Sequence, residues 1–189
     1  MVNRLYFCKI NNDHGNAQAF PITNRMKNKP EKKFINMNLV REESQRKVME
    51  EILRQGHCPF CPENLNKYHK NPILKEGKFW LLTENQWPYE KVKHQLLAIH
   101  KNHIEHLSEM TPEAGQELIK MFAEESKKRK MDGGFIAMRF GSSEHGNYGA
   151  SVLHLHAHLI QPDLEKLKKD EAWKIKFGQP KNYKKVDNK

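Results

Sequence analysis

Three histidines recur at every second position in the run His154-Leu155-His156-Ala157-His158, and two cysteines stand as Cys58-Pro59-Phe60-Cys61. Imidazole titrates near neutral pH and serves as nucleophile or as general acid–base. Cys-x-x-Cys is the spacing of two thiolates on one metal ion, or of a redox pair. The histidine row has three readings: a solvated polar sheet face, a row of metal ligands, or a catalytic set. Placing three imidazoles together is costly, because neutral rings need hydrogen bonds and charged rings repel. Gly149-Ala150-Ser151 leads into the strand that carries the row, with two residues between Ser151 and His154. A Gly-rich turn feeding a strand exposes backbone N–H groups, and Ser151 adds a hydroxyl, so the turn could hold phosphate oxygens. That neighbourhood favours catalysis.

The elements that must position these residues follow from periodicity. Side chains alternate along a strand. A strand over Ser151–Gln161 therefore puts Val152, His154, His156, His158 and Ile160 on one face. Leu153, Leu155, Ala157 and Leu159 line the other, as a core face. Lys78–Thr83, Gln95–His100 and Phe135–Phe140 read as further strands, and Leu5–Ile10 as a short one. Glu42–Gln55 reads as a helix with Val48, Ile52 and Leu53 on one side and Gly56 at its end. Thr111-Pro112-Glu113 starts a second helix, with Thr as N-cap, Pro at the first helical position and an acid in the first turn. Asp132-Gly133-Gly134 is placed to stop it. Residues 24–33 form a polar, basic linker, and Ser143–Gly149 a Gly-rich loop. After Pro162 the tail is basic, with Trp173–Phe177 strand-like.

The chain has 189 residues, enough for one domain with extensions. Its net charge of +10 suits polyanionic partners such as nucleotides, polyphosphates or nucleic acid. No apolar run reaches the length of a membrane span, and the first residues lack the apolar stretch of a signal peptide. Three cysteines, with Cys8 standing alone, do not make a disulfide framework. A cytoplasmic protein without a membrane partner is expected.

His154-Leu155-His156-Ala157-His158-Leu159-Ile160 resembles the His-φ-His-φ-His-φ-φ signature of the histidine triad (HIT) superfamily, where φ is apolar. Leu96–His103 is similar to that family's strand and turn ending in a histidine. The resemblance spans about Cys58 to Pro162. It implies an α+β fold, with an antiparallel sheet of about five strands, flanking helices and a homodimer. It implies His156 as the nucleophile that attacks the α-phosphorus of a nucleotide ester, anhydride or phosphoramidate. His158 would contact the phosphate and Ser151 a phosphate oxygen or the leaving group. Asn85, before the Trp87-Pro88-Tyr89 turn, would contact the ribose. In zinc-bearing branches, including galactose-1-phosphate uridylyltransferases, matching positions give a structural zinc held by Cys58, Cys61, His103 and His154. His57 and His69 flank the cysteines and are the alternative ligands.

The chain departs from the family in places. Ala150 stands where several branches have Gln. The Gly-x-Ser-x-x-His form resembles uridylyltransferases and dinucleoside-polyphosphate phosphorylases, yet many uridylyltransferases have Gln where His158 stands. The usual Asn-x-Gly ahead of the loop is out of register. The expected organisation is an N-terminal extension over 1–40, a HIT domain with its Cys-x-x-Cys knuckle over 41–163, and a basic tail over 164–189. The expected function is hydrolysis of dinucleoside polyphosphates or related adenylylated compounds. Phosphorolysis is the first alternative, deadenylation of nucleic-acid ends the second, and a catalytically idle zinc-stabilised scaffold the third.

Overall fold

The computed structural model describes residues 34–141 and 150–175. The strand expected over 5–10, Cys8, the linker at 24–33, the Gly-rich loop at 143–149 and the tail from 176 onward lie outside the described residues. Among the described residues five strands form one antiparallel sheet: β1 (Ile73–Glu76), β2 (Trp80–Glu84), β3 (Val92–His100), β4 (Phe135–Arg139) and β5 (His156–Pro162), in the spatial order β1-β2-β3-β5-β4. In the same residues three α-helices flank it: α1 (Glu43–Gln55), α2 (Pro62–Tyr68) and α3 (Pro112–Lys128). The fold is α+β, as the sequence leads one to expect.

Period-two alternation gives the sheet two apolar faces. Trp80, Leu82, Leu96, Ala98, Leu155, Ala157 and Leu159 pack against Leu118, Met121 and Phe122 of α3. Trp80 is fully buried, and its indole N–H donates to the Ala114 carbonyl at 2.7 Å. Truncating such a residue to Ala costs about 3–5 kcal/mol. On the opposite face Leu81, Leu97 and Ile99 pack with Leu65 of α2. Beside them Met49 and Ile52 of α1 join Ile35, Tyr68 and Val152. Phe34–Val40, placed in the extension by the sequence, thus contribute to the core: Ile35 bridges Val152, and Met37 and Val40 pack on the same cluster.

Helix signals read well at their starts. The Thr111 hydroxyl accepts the Ala114 N–H at 3.3 Å. Gly56 ends α1 with φ +66° and returns its N–H to the Ile52 carbonyl. The buried side of α1 differs from expectation. Gln45, Met49 and Ile52 face inward, whereas Leu53 is 38% exposed, because the helix docks through the 45/49/52 stripe. α3 ends at Lys128, ahead of Asp132. Lys130 takes φ +50°, with Lys130 N–H bonded to Lys127 O and Met131 N–H to Ser126 O. Those two bonds are a Schellman closure, usually built on glycine.

The β5 ladder begins at His156 and not at Ser151. Residues 151–155 bend instead, with Leu155 N–H on Ile104 O and His154 N–H on Val152 O. Trp173-Lys174-Ile175, read as strand-like, is irregular. Among the described residues no helix is long and apolar enough to cross a membrane.

Candidate active site and metal cluster

The bend before β5 and the turn before α2 meet. Cys58 and Cys61 lie on that turn, and Cys61 is the N-cap of α2. His103 follows β3, and His154 sits two residues ahead of β5. One ligand atom from each lies within 4.8 Å of the others. Cys58 Sγ is 3.3 Å from His154 Nδ1. Cys61 Sγ is 3.6 Å from His103 Nδ1 and 3.9 Å from His154 Nδ1. Sulfur and nitrogen on one tetrahedral zinc, with bonds of about 2.3 and about 2.0 Å, stand about 3.5 Å apart. The second ring nitrogens are used as metal-bound imidazoles use them. His154 Nε2–H donates to the His100 carbonyl at 2.5 Å, and His103 Nε2 lies 3.2 Å from Glu105 Oε1. Each Nδ1 is left as the lone-pair atom facing the thiols. Burial pushes the Cys58 thiol up to about 12 and the His154 imidazole down to about 3. Neutral imidazole is a ligand form, while the buried Cys58 thiol becomes a thiolate only with a cation beside it. The donor set therefore fits zinc.

His57 and His69 turn away from this cluster. His57 Nε2 meets the Tyr68 hydroxyl at 2.8 Å. His69 Nε2 donates to Thr83 Oγ1 at 2.8 Å, since that hydroxyl gives its own proton to Pro72 O.

His156 and His158 follow on the same face of β5, ring against ring at 5.3 Å. His156 Nδ1–H donates to the His154 carbonyl at 2.7 Å, which leaves the lone pair on Nε2. Phe60, from the cysteine turn, sets its edge against His156 at 5.2 Å. Burial holds His156 down to about 4, with the Arg139 guanidinium adding to the effect. Burial, then His156 and the guanidinium groups of Arg139 and Arg41, hold His158 well below the ordinary histidine range. Both shifts favour the neutral ring. Gln95 orients His158: its Oε1 accepts the Tyr89 N–H at 2.7 Å, and its Nε2 donates to His158 Nδ1 at 3.4 Å. The proton of neutral His158 then sits on Nε2.

Sequence reasoning missed Gln95, Tyr89, Arg41 and Arg139. Arg139 on β4 is the register partner of His156 on β5, so the two share a face. Arg41 lies 4.1 Å over the Tyr89 ring and donates to Trp87 O at 2.7 Å. Tyr89 in turn is 6.4 Å from His158. No local pattern marks any of them, since register and loop closure create the grouping.

The remaining expected residues lie at the margin. Ser151 is half-buried, and its carbonyl accepts the Asn36 N–H at 2.9 Å. Among the described residues its hydroxyl bonds to no triad ring. Asn85 turns both side-chain ends onto Trp87, Nδ2 to its carbonyl at 3.2 Å and Oδ1 to its N–H at 3.4 Å. It shapes the turn that carries Tyr89, and any ribose contact would come in addition.

Residues 88–164 match the family model described as the HIT domain. No curated protein matches the chain. Among solved structures it is similar to a histidine triad nucleotide-binding protein from Candida albicans (19% identity, 64% of this chain and 85% of that one covered, TM-score 0.48). It is also similar to a HIT family hydrolase from Clostridium thermocellum (22%, 63% and 96%, 0.44). A third is a Zn-bound histidine triad family protein from Mycobacterium smegmatis (21%, 56% and 74%, 0.43).

Proposed function

We propose, on the match of residues 88–164 to the HIT-domain model, that this chain transfers a nucleotidyl group from a dinucleoside polyphosphate, or a related adenylylated compound, to water. The observation that carries the reading is the fixed tautomer of His156. Its Nδ1–H is tied to His154 O, and its Nε2 lone pair stands beside a second histidine whose own Nε2 bears the proton.

Nε2 of His156 forms a bond to the α-phosphorus while the bond from that phosphorus to the bridging oxygen breaks. The leaving nucleotide departs with the electron pair. Water then attacks the nucleotidyl-histidine, the phosphorus–nitrogen bond breaks, and the nucleoside monophosphate is released with His156 restored. His158 donates a hydrogen bond from Nε2 to a non-bridging phosphate oxygen, where negative charge grows. Ser151 supplies a second donor there. Cys58, Cys61, His103 and His154 would hold zinc, which would supply a structural anchor and no reactive position, because four protein ligands complete a tetrahedral site. His154 links the two: its ring would be a ligand beside Cys58, and its carbonyl sets the nucleophile's tautomer.

The test is turnover of diadenosine tetraphosphate and adenosine 5′-phosphoramidate, with and without added phosphate, by wild type and His156→Ala. Phosphate-independent release of AMP, lost by a factor of about 10³ or more in the variant, is the expected result. A strict phosphate requirement with ADP as product would make the acceptor phosphate. Activity surviving in His156→Ala would remove the nucleophile assignment.

A further inference from the structure

The nucleotidyl-transfer reading leaves two arginines at the site unexplained. Arg139 is half-buried beside the nucleophile, and Arg41 is exposed at the rim over Tyr89. Among the described residues, no carboxylate pairs with either guanidinium. The contrast is Arg129, which reaches Glu84 at 2.7 Å and Glu125 at 3.1 Å. An arginine drawn into a protein without an anion loses hydration that neutral contacts, such as those of Arg41 with Tyr89 and the Trp87 carbonyl, replace only in part. Burial indeed lowers the pKa of Arg139, and Arg41 lowers it further. Two cations that repel each other and crowd two neutral histidines are an arrangement that an anion would relieve.

The position of the pair narrows the anion. One phosphate, the one attacked, is served by His156, His158 and Ser151 in the reading above. Arg139 stands across the ladder from His156 on the outer strand. Arg41 is displaced from it toward Tyr89, and Tyr89 is placed by Gln95 and by the Asn85 turn. A single phosphate on His156 does not need two further cations, whereas a chain of phosphates running across the face does. Guanidinium groups suit this task, because their planar forks bind phosphate oxygens bidentately.

We propose that Arg139 and Arg41 form a cationic seat for the phosphates of the leaving group, selecting polyphosphate-bridged nucleotides over nucleotidyl amides. The proposal rests on the nucleotidyl-transfer reading for its chemistry, though not for the binding itself. In the first step the bridging oxygen takes the electron pair of the breaking bond, and the seat neutralises the charge gathering on the departing polyphosphate. A phosphoramidate, which releases an amine, draws nothing from it.

The experiment uses the full chain as wild type, Arg139→Gln, Arg139→Lys and Arg41→Gln. Two quantities are measured: the ratio of kcat/KM for diadenosine tetraphosphate to that for adenosine 5′-phosphoramidate, and calorimetric affinity for inorganic tripolyphosphate. In Arg139→Gln the ratio and the tripolyphosphate affinity each fall about tenfold or more, the value of a charged hydrogen bond. Arg139→Lys recovers part of both, and Arg41→Gln lowers both less. Equal losses for the two substrates, or an unchanged ratio with unchanged tripolyphosphate binding, would overturn the seat. If wild type turned over neither substrate, the nucleotidyl-transfer reading would fail. Tripolyphosphate binding would then decide the seat alone: weakened in both glutamine variants it stands, and undiminished it falls. Should Arg139→Gln not fold, Arg41→Gln, at an exposed position, decides by the same two measurements.

Discussion

His69 and His158 are both held below the ordinary histidine range, His69 by burial alone. The unfolded chain therefore binds protons that the folded chain refuses. Stability from such groups is complete above the unfolded value of about 6.5 and is lost as pH falls below it toward the folded values. Each group contributes a slope of at most about 1.4 kcal/mol per pH unit in that window. Denaturant midpoints should accordingly fall between pH 7 and pH 5, and His69→Gln should flatten part of the slope. A midpoint that stays level through this range would show that these rings charge without cost. At this scale the sequence was legible where chemistry is local. The histidine row shows its period within five residues, and the cysteines their spacing within four. Arg139 was not legible, because it is one of 33 basic residues and only the β4–β5 register sets it beside His156. Gln95 was read as an ordinary strand residue for the same reason: its partners lie six and 63 positions away.

Among the elements, α2 depends most on what surrounds it. A helix of seven residues does not persist alone. Its N-cap is Cys61, and the Asn64 side chain reaches back to Cys58 O at 3.0 Å, so the helix hangs from the cysteine turn. Cys58→Ser should lower zinc content, measured by elemental analysis. A loss of about 2–3 kcal/mol would lower Tm by about 5–10 °C in a chain of this size. A variant with full metal content and an unshifted Tm would place the metal elsewhere. Neither α2 nor β1 was read from the sequence. Both are too short to show a period, and Ile73 and Leu74 of β1 remain partly exposed, so no alternation announces the strand. The helix α3 was legible at its start from Thr111-Pro112-Glu113, yet not at its end, because Lys130 adopts a backbone that the sequence leads one to expect of glycine.

At the scale of the molecule, the sheet of the described residues ends on β4, which carries Ile136 at 46% exposure, with Phe140 at 48% just beyond. An edge strand with exposed apolar side chains invites pairing with a second chain. The homodimer expected from the family resemblance would place this edge at its twofold. Sedimentation of the full chain should give a dimer, and Ile136→Lys should shift it toward monomer. A monomeric wild type at tens of micromolar would dismiss the arrangement.

The Glu117 carboxylate on α3 accepts the backbone N–H groups of Lys78, Phe79 and Trp80 at 3.0, 3.0 and 3.1 Å. A Cβ on Gly77 would collide with that same carboxylate. The β1–β2 hairpin thus borrows part of the closure of its own turn from a residue about forty positions later. Its Gly77 N–H closes locally on the Trp80 carbonyl at 2.8 Å. The next three N–H groups find their acceptor only once α3 has docked, so the loop is local in the chain while its full satisfaction is tertiary.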